Sequence, residues 1–287
     1  MSDRADAHIH LFENGYQGSF TARPGVRIDE TSLYASLAAD HQVKQALVVG
    51  YEGDAWAKGN NSHVAAVATR HAWARPVAYV PVAVPPDLAG LSRLQEQGFV
   101  GISLYVFADG DVRALQMITN DVWAWIVRQR WLVSVNTREQ NLAGWRPILD
   151  RHPELRLLVS HLGLPLRVAQ APSTTAAHTA LADLVRLAHF PQTQVKLSGF
   201  YALTDPGHAY PHRAAWPYVE ILVEAFGTKR LLWGSDFPPS LDSLSFAQTI
   251  ALFAEMPFLS DEDRQAIEGG NLLRLLTEVR TGGTTPD

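Results

Sequence analysis

The sequence predicts an α/β fold, a (β/α)8 barrel with an added C-terminal helix, on three observations. Eight short runs rich in aliphatic and β-branched residues recur along 287 residues. Amphipathic stretches separate them, the alternation that accompanies parallel strands and crossover helices. The length is close to the roughly 250 residues of one closed barrel. Several runs are apolar almost throughout, as strands buried on both faces require. An open, doubly wound sheet is the structural rival. A closed barrel makes the first and last strands neighbours, and an open sheet does not.

The first strand is expected at 5–11, where Asp6-Ala7-His8-Ile9-His10 stands in an otherwise apolar run. Further strands are expected at 44–50, 77–82, 99–105, 131–136, 155–161, 193–199 and 230–236. Helical periodicity places helices over 62–70, 88–97, 121–130, 176–188 and 216–226. A last helix over 261–279 has Ser260 or Asp261 as its cap. The tail 280–287, with its Gly-Gly-Thr-Thr-Pro segment, reads as disordered. No linker or low-complexity segment divides the chain, so a single domain over 1–287 is expected.

Composition narrows the function. Hydrophobic residues make up 47% and charged residues 18%, which supports a large core. A net charge of −5 with no block of like charges argues against nucleic-acid or membrane partners. With no cysteine, disulfides and thiol nucleophiles are excluded, and a metal must be held by His, Asp or Glu. The polar start carries no targeting pattern, and no apolar run approaches the roughly 20 residues that cross a bilayer. The expectation is a cytoplasmic protein with a small-molecule substrate; a homo-oligomer is left open.

Barrel chemistry sits at the C-terminal ends of the strands. His8 and His10, at i and i+2, share a face there. His161 closes the sixth strand and Asp236 the eighth. A histidine ending an apolar strand is more often structural when taken singly. Three histidines and a carboxylate, all at C-terminal strand ends, reverse those odds. Neutral imidazoles with a carboxylate suit one divalent metal, zinc or manganese, held by His8, His10, His161 and Asp236. Metal-free catalysis by the same four residues is the alternative. Asn136, Tyr51, Tyr105 and Tyr201 follow or end strands and are candidate substrate contacts. Lys196, within the seventh strand, is expected to form a structural ion pair inside the barrel. His208 and His212 are assigned to a solvated loop, with a place in the pocket left open.

With these residues placed, the chain resembles the amidohydrolase superfamily in its amidohydrolase-2 branch. The resemblance is carried by Asp6-Ala7-His8-Ile9-His10, Ser160-His161-Leu162-Gly163 and Trp233-Gly234-Ser235-Asp236-Phe237-Pro238. Val195-Lys196-Leu197-Ser198-Gly199 looks like the sugar-lactone and pyrone-dicarboxylate lactonase group, as do Asn60-Asn61-Ser62 and Tyr79-Val80-Pro81-Val82. The resemblance implies a hydrolase with His8, His10, His161 and Asp236 at its reaction centre. Asn136 and Ser198 stand where binuclear relatives carry further ligands, which argues against two metals. Relatives acting on carboxylated rings often place an arginine in the fourth strand, where this chain has Gly101-Ile102-Ser103-Leu104-Tyr105. Ser103 and Arg138 are further candidate substrate contacts, and a neutral or less acidic lactone is favoured unless Arg138 or His212 compensates. The leading expectation is opening of a small sugar- or aromatic-derived lactone by water, with Asp236 as general base. A metal-dependent decarboxylase of the same branch is the second reading, and a ligand-binding barrel without catalysis the third.

Overall fold

The computed structural model describes residues 3–17 and 28–279. Its eight strands are β1 (Arg4–Ile9), β2 (Val43–Val49), β3 (Ala74–Tyr79), β4 (Gly101–Val106), β5 (Leu132–Thr137), β6 (Arg156–Val159), β7 (Gln194–Leu197) and β8 (Leu231–Trp233). They pair in chain order, and every pair is parallel. The ring closes just beyond β8, where Ile9 bridges Phe237. Asp236 N donates to His8 O at 2.8 Å, and His10 N donates to Phe237 O at 2.7 Å. The open-sheet rival is thereby excluded. The first and last strands meet, as barrel closure requires.

Strand existence agrees with expectation, and the ends differ for physical reasons. β6 stops at Val159 and β8 at Trp233, because His161 (φ 53°) and Asp236 (φ 56°) lie in the left-handed region. The expected helix over 176–188 is two, Thr174–Ala180 and Ala182–Leu187, broken at Leu181. The last helix starts under the expected Ser260 cap, whose Oγ accepts from Asp263 N. It widens to a π turn over Ala266–Gly270 before resuming at Asn271–Glu278. A Cβ on Gly269 would lie 2.6 Å from Asp3 O, so only glycine lets this turn press against β1. Helices Glu30–Asp40 and Asp109–Met117 were not expected. Their apolar positions are sparse, with only Glu30, Tyr34, Ala38 and Leu115 buried.

Side chains identify the barrel interior. Lys196 of β7 reaches Ser134 of β5 on one side and His8 of β1 on the other. Contacts that skip a strand in each direction are possible only across the lumen. The flanking Val133, Val135, Val195 and Leu197 point the other way, into the large core shared with the helices. A second cluster unites Leu47, Val77, Val100, Leu132, Leu158 and Leu232 with Leu272 and Leu275 of the last helix. Among the described residues no helix is long and apolar enough to cross a membrane. The 280–287 tail lies outside the described residues.

Candidate active site

His8 is the penultimate residue of β1 and His10 the first residue past it, so alternation brings both rings to the same mouth of the barrel. Their Nε2 atoms are 3.1 Å apart. Asp236 Oδ1 lies 3.7 Å from His8 Nε2 and 4.0 Å from His10 Nε2. His161 Nδ1 is 3.9 Å from the other oxygen, Oδ2, and its ring centroid is 4.7 Å from that of His8. All four side chains are buried. His161 and Asp236 stand in loops, two and three residues past their strands, rather than at the strand ends as expected. Left-handed backbone at a residue other than glycine costs of order 1–3 kcal/mol and persists where the surroundings impose it.

A set of polar residues behind the four supplies that imposition. Asp6 Oδ1 accepts from Ser235 N at 2.9 Å and from His8 N at 3.1 Å, tying the last loop to the first strand. Tyr34 OH donates to Asp6 Oδ2. Burial raises the Asp6 carboxyl to about 6 against the pull of these donors. His10 Nδ1 lies 2.7 Å from Val49 O, and Ser198 Oγ lies 2.9 Å from His161 Nδ1. A Cβ on Gly199 would approach that same Nδ1 to 2.6 Å, which explains the glycine at φ 66°. His8 Nδ1 faces Ser160 Oγ at 3.2 Å and Lys196 Nζ at 3.3 Å.

The expected ion pair of Lys196 is absent among the described residues. Its Nζ instead donates to Ser134 Oγ at 2.6 Å and sits against His8. Burial lowers this amine to about 7, although Asp236 and Asp6 pull the other way. Burial also lowers all three histidines, most strongly His8, where the Lys196 charge adds to the effect. The rings are therefore held neutral, the state that binds metals and accepts protons.

Above this floor opens a cavity of about 400 Å³. His10, His161 and Asp236 form its base, while His8 lies behind them. Phe12, Tyr16, Tyr51, Trp56, Tyr79 and Tyr105 build one continuous aromatic wall, with neighbouring ring centroids 4.7 to 6.3 Å apart. Asp54 stands at the rim and accepts from Tyr51 OH at 3.0 Å. No lysine or arginine lines the cavity among the described residues.

Of the expected substrate contacts, Tyr51, Tyr105, Asn136 and Tyr201 line this cavity. Ser103 does not; it is buried in β4, in register with Tyr79 and Ser134. Arg138 is exposed and away from the cavity. His208 is exposed as a solvated loop implies, but His212 is fully buried with Nδ1 2.7 Å from Thr204 Oγ1, and does not line this cavity. Tyr201 OH donates to Asp236 Oδ2 at 2.7 Å, so it holds the carboxylate. Sequence reasoning passed over Asp6, Ser160 and Tyr34, and also Phe12, Tyr16, Trp56 and Tyr79. The available signals were Asp6 on the same face as His8, and aromatics clustered just past β1 and β2 and at the end of β3.

His8, His161 and Asp236 each offer a ligand atom, all within 4.8 Å of one another. Two imidazoles and a carboxylate fit a divalent ion such as zinc, and the contact of His10 Nδ1 with Val49 O fixes the orientation of the third ring beside them.

Comparison with known proteins gives the family and the fold. An L-fucono-1,5-lactonase of Burkholderia ambifaria is 34% identical over 138 residues, covering 46% of this chain and 45% of that protein. The chain spans about half the length of the curated relatives it matches. A zinc-bound amidohydrolase from Burkholderia multivorans shares the fold at a TM-score of 0.77 and 22% identity, over 96% of this chain and 100% of that one. A probable 2-pyrone-4,6-dicarboxylic acid hydrolase from Acinetobacter baumannii, with citric acid bound, does so at 0.72 and 19%, over 96% and 99%. The amidohydrolase family profile matches residues 5–277, nearly the whole barrel, and the chain belongs to that family.

Proposed function

We propose that this protein hydrolyses an uncharged lactone, with Asp236 as the general base. The observation that carries the proposal is the position of Asp236, a buried carboxylate facing three neutral imidazoles at the base of an aromatic cavity. Asp236 takes a proton from water as the water oxygen bonds to the lactone carbonyl carbon. The ring C–O bond then breaks, and Asp236 returns the proton to the leaving alkoxide. Tyr201 keeps Oδ2 occupied, so Oδ1, on the side of His8 and His10, is the oxygen free to accept. His10 and His161 face the cavity where the carbonyl oxygen gains charge. His8, His10, His161 and Asp236 would hold zinc or manganese, which when bound polarises a carbonyl or lowers the pKa of water to about 7.

An uncharged ring is favoured because the cavity has no cation at its wall among the described residues and carries Asp54 at its rim. Arg138 and His212, the two residues that could have compensated, are elsewhere. The aromatic wall offers faces on which the C–H side of a sugar or a planar ring can stack. A decarboxylase of the same branch would need a partner for the substrate carboxylate. The fucono-lactonase relatives support lactone opening in general.

A panel of sugar lactones, small uncharged aromatic lactones and 2-pyrone-4,6-dicarboxylate, followed by acid release, tests the proposal. Turnover of an uncharged lactone at a kcat/KM about 100-fold above the dicarboxylate is expected, since like charges at a site cost several kcal/mol. Release of CO2 from an aromatic acid, with no lactone opened, would overturn it.

A further inference from the structure

The hydrogen bonds beneath the site have a direction that can be followed from one end. Val49 O only accepts, so its 2.7 Å contact places the His10 proton on Nδ1 and leaves Nε2 a bare lone pair. His8 Nε2 lies 3.1 Å from that lone pair, hydrogen-bond distance, and the proton between them has to come from His8. Neutral His8 then has an accepting Nδ1. The two groups facing that atom can both donate, the Ser160 hydroxyl at 3.2 Å and the Lys196 amine at 3.3 Å. Lys196 Nζ carries at least two N–H in either charge state; Ser134 Oγ takes one, leaving another for His8.

Metal binding asks for the opposite arrangement. If His8 is to ligate through Nε2, that atom must be bare and the proton must sit on Nδ1, where Lys196 already points an N–H. We infer that Lys196 is a positioning residue that holds the His8 proton on Nε2, so that metal enters this site only against the Lys196–His8 hydrogen bond. The inference rests on the proposed reading that His8 is among the metal ligands, with His161 and Asp236 offering neighbouring donor atoms. It makes the residue under the site, rather than the ligands, the control on metal affinity.

Zinc affinity of the chelator-stripped full chain, read by equilibrium dialysis with elemental analysis, tests this on Lys196→Met and Lys196→Arg. Lys196→Met is expected to bind zinc about tenfold or more tightly than the parent, the usual scale of an outer-shell change. Lys196→Arg, which keeps a donor, stays near the parent. Unchanged or weaker binding in Lys196→Met overturns the inference, since an amine that accepted from Nδ1–H would support the metal and its loss would weaken it. If Lys196→Met fails to fold, 15N–1H long-range spectra of the metal-free parent decide. A protonated Nε2 and bare Nδ1 at His8 are expected, and the reverse overturns it. Neither readout uses lactone turnover, so failure of the proposed reaction on the substrate panel stands apart from failure here.

Discussion

Asp236 presents its two oxygens to different neighbours, His8 and His10 on one side, Tyr201 and His161 on the other. That split yields two predictions. Asp236→Asn should lower kcat by about 10³- to 10⁴-fold, the range for losing a group that acts with the reacting atoms. Ligand affinity should survive, read by calorimetry with a slow substrate or product; an unchanged kcat would leave a binding protein. Tyr201→Phe should lower kcat by about tenfold or more with KM nearly unchanged, because the phenol touches the base and its loss frees the carboxylate to rotate. A rise in KM alone would instead make Tyr201 a substrate contact. The convergence of His8, His10, His161 and Asp236 was readable from sequence because all four were expected at one mouth of a closed barrel. The partner of Lys196 was not, since it depends on which side chains meet across a closed lumen. His212 misled for a related reason. Its loop folds back so that Phe200 and Thr204 bury the ring, a contact with no local sequence signature.

The segment that follows β1 shows how neighbouring elements are coupled to the cavity. Glu30, the first residue of helix Glu30–Asp40, accepts from Phe12 N at 2.8 Å and Tyr16 N at 2.5 Å, and both aromatics stand in the cavity wall. Burial raises this carboxyl from 4.5 to about 7. A raised carboxyl binds its proton more tightly when folded, so its contribution is fully present below pH 4.5 and lost as pH rises through about 7. Glu30→Gln should remove that pH-dependent component, worth at most about 3 kcal/mol. Denaturant unfolding of parent and variant at either end of this window measures it; equal pH dependence in the two would show that Glu30 does not titrate there. Sequence did not point to this helix, because its buried face is one tyrosine, one alanine and this carboxylate rather than an apolar stripe. Strands were easier, as their apolar runs are short and dense. Their ends were missed by a few residues where His161 and Asp236 bend the backbone to positive φ.

Across the molecule, eight alternating units were enough to anticipate the barrel and the place of its site, since closure leaves little choice of where strand ends converge. The shape and charge of the cavity were less accessible. They depend on loops past β1 and β2 and on the ends of β3 and β4, whose aromatics meet only once the ring is closed. A chain of net charge −5, with no described cation at the cavity wall, has no field with which to steer an anion. For an uncharged lactone, kcat/KM should change by less than about twofold between roughly 10 mM and 1 M salt, a range over which the Debye length falls from about 30 Å to about 3 Å. A steep fall with salt would identify a charged substrate.

The seam between β1 and the residues after β8 joins Asp6 to Ser235, 229 positions apart. The proposed base is the residue next to that stitch, so the site is assembled by a contact that gathers in most of the chain. Loop closure over such a span comes late, after the cheaper neighbouring pairings have formed. Catalytic competence thus works as a completion signal for folding. A chain with seven strands in place and the seam undone would hold most of its secondary structure and none of its base. On refolding, turnover should return after the far-ultraviolet signal, with the interval between them timing the last closure.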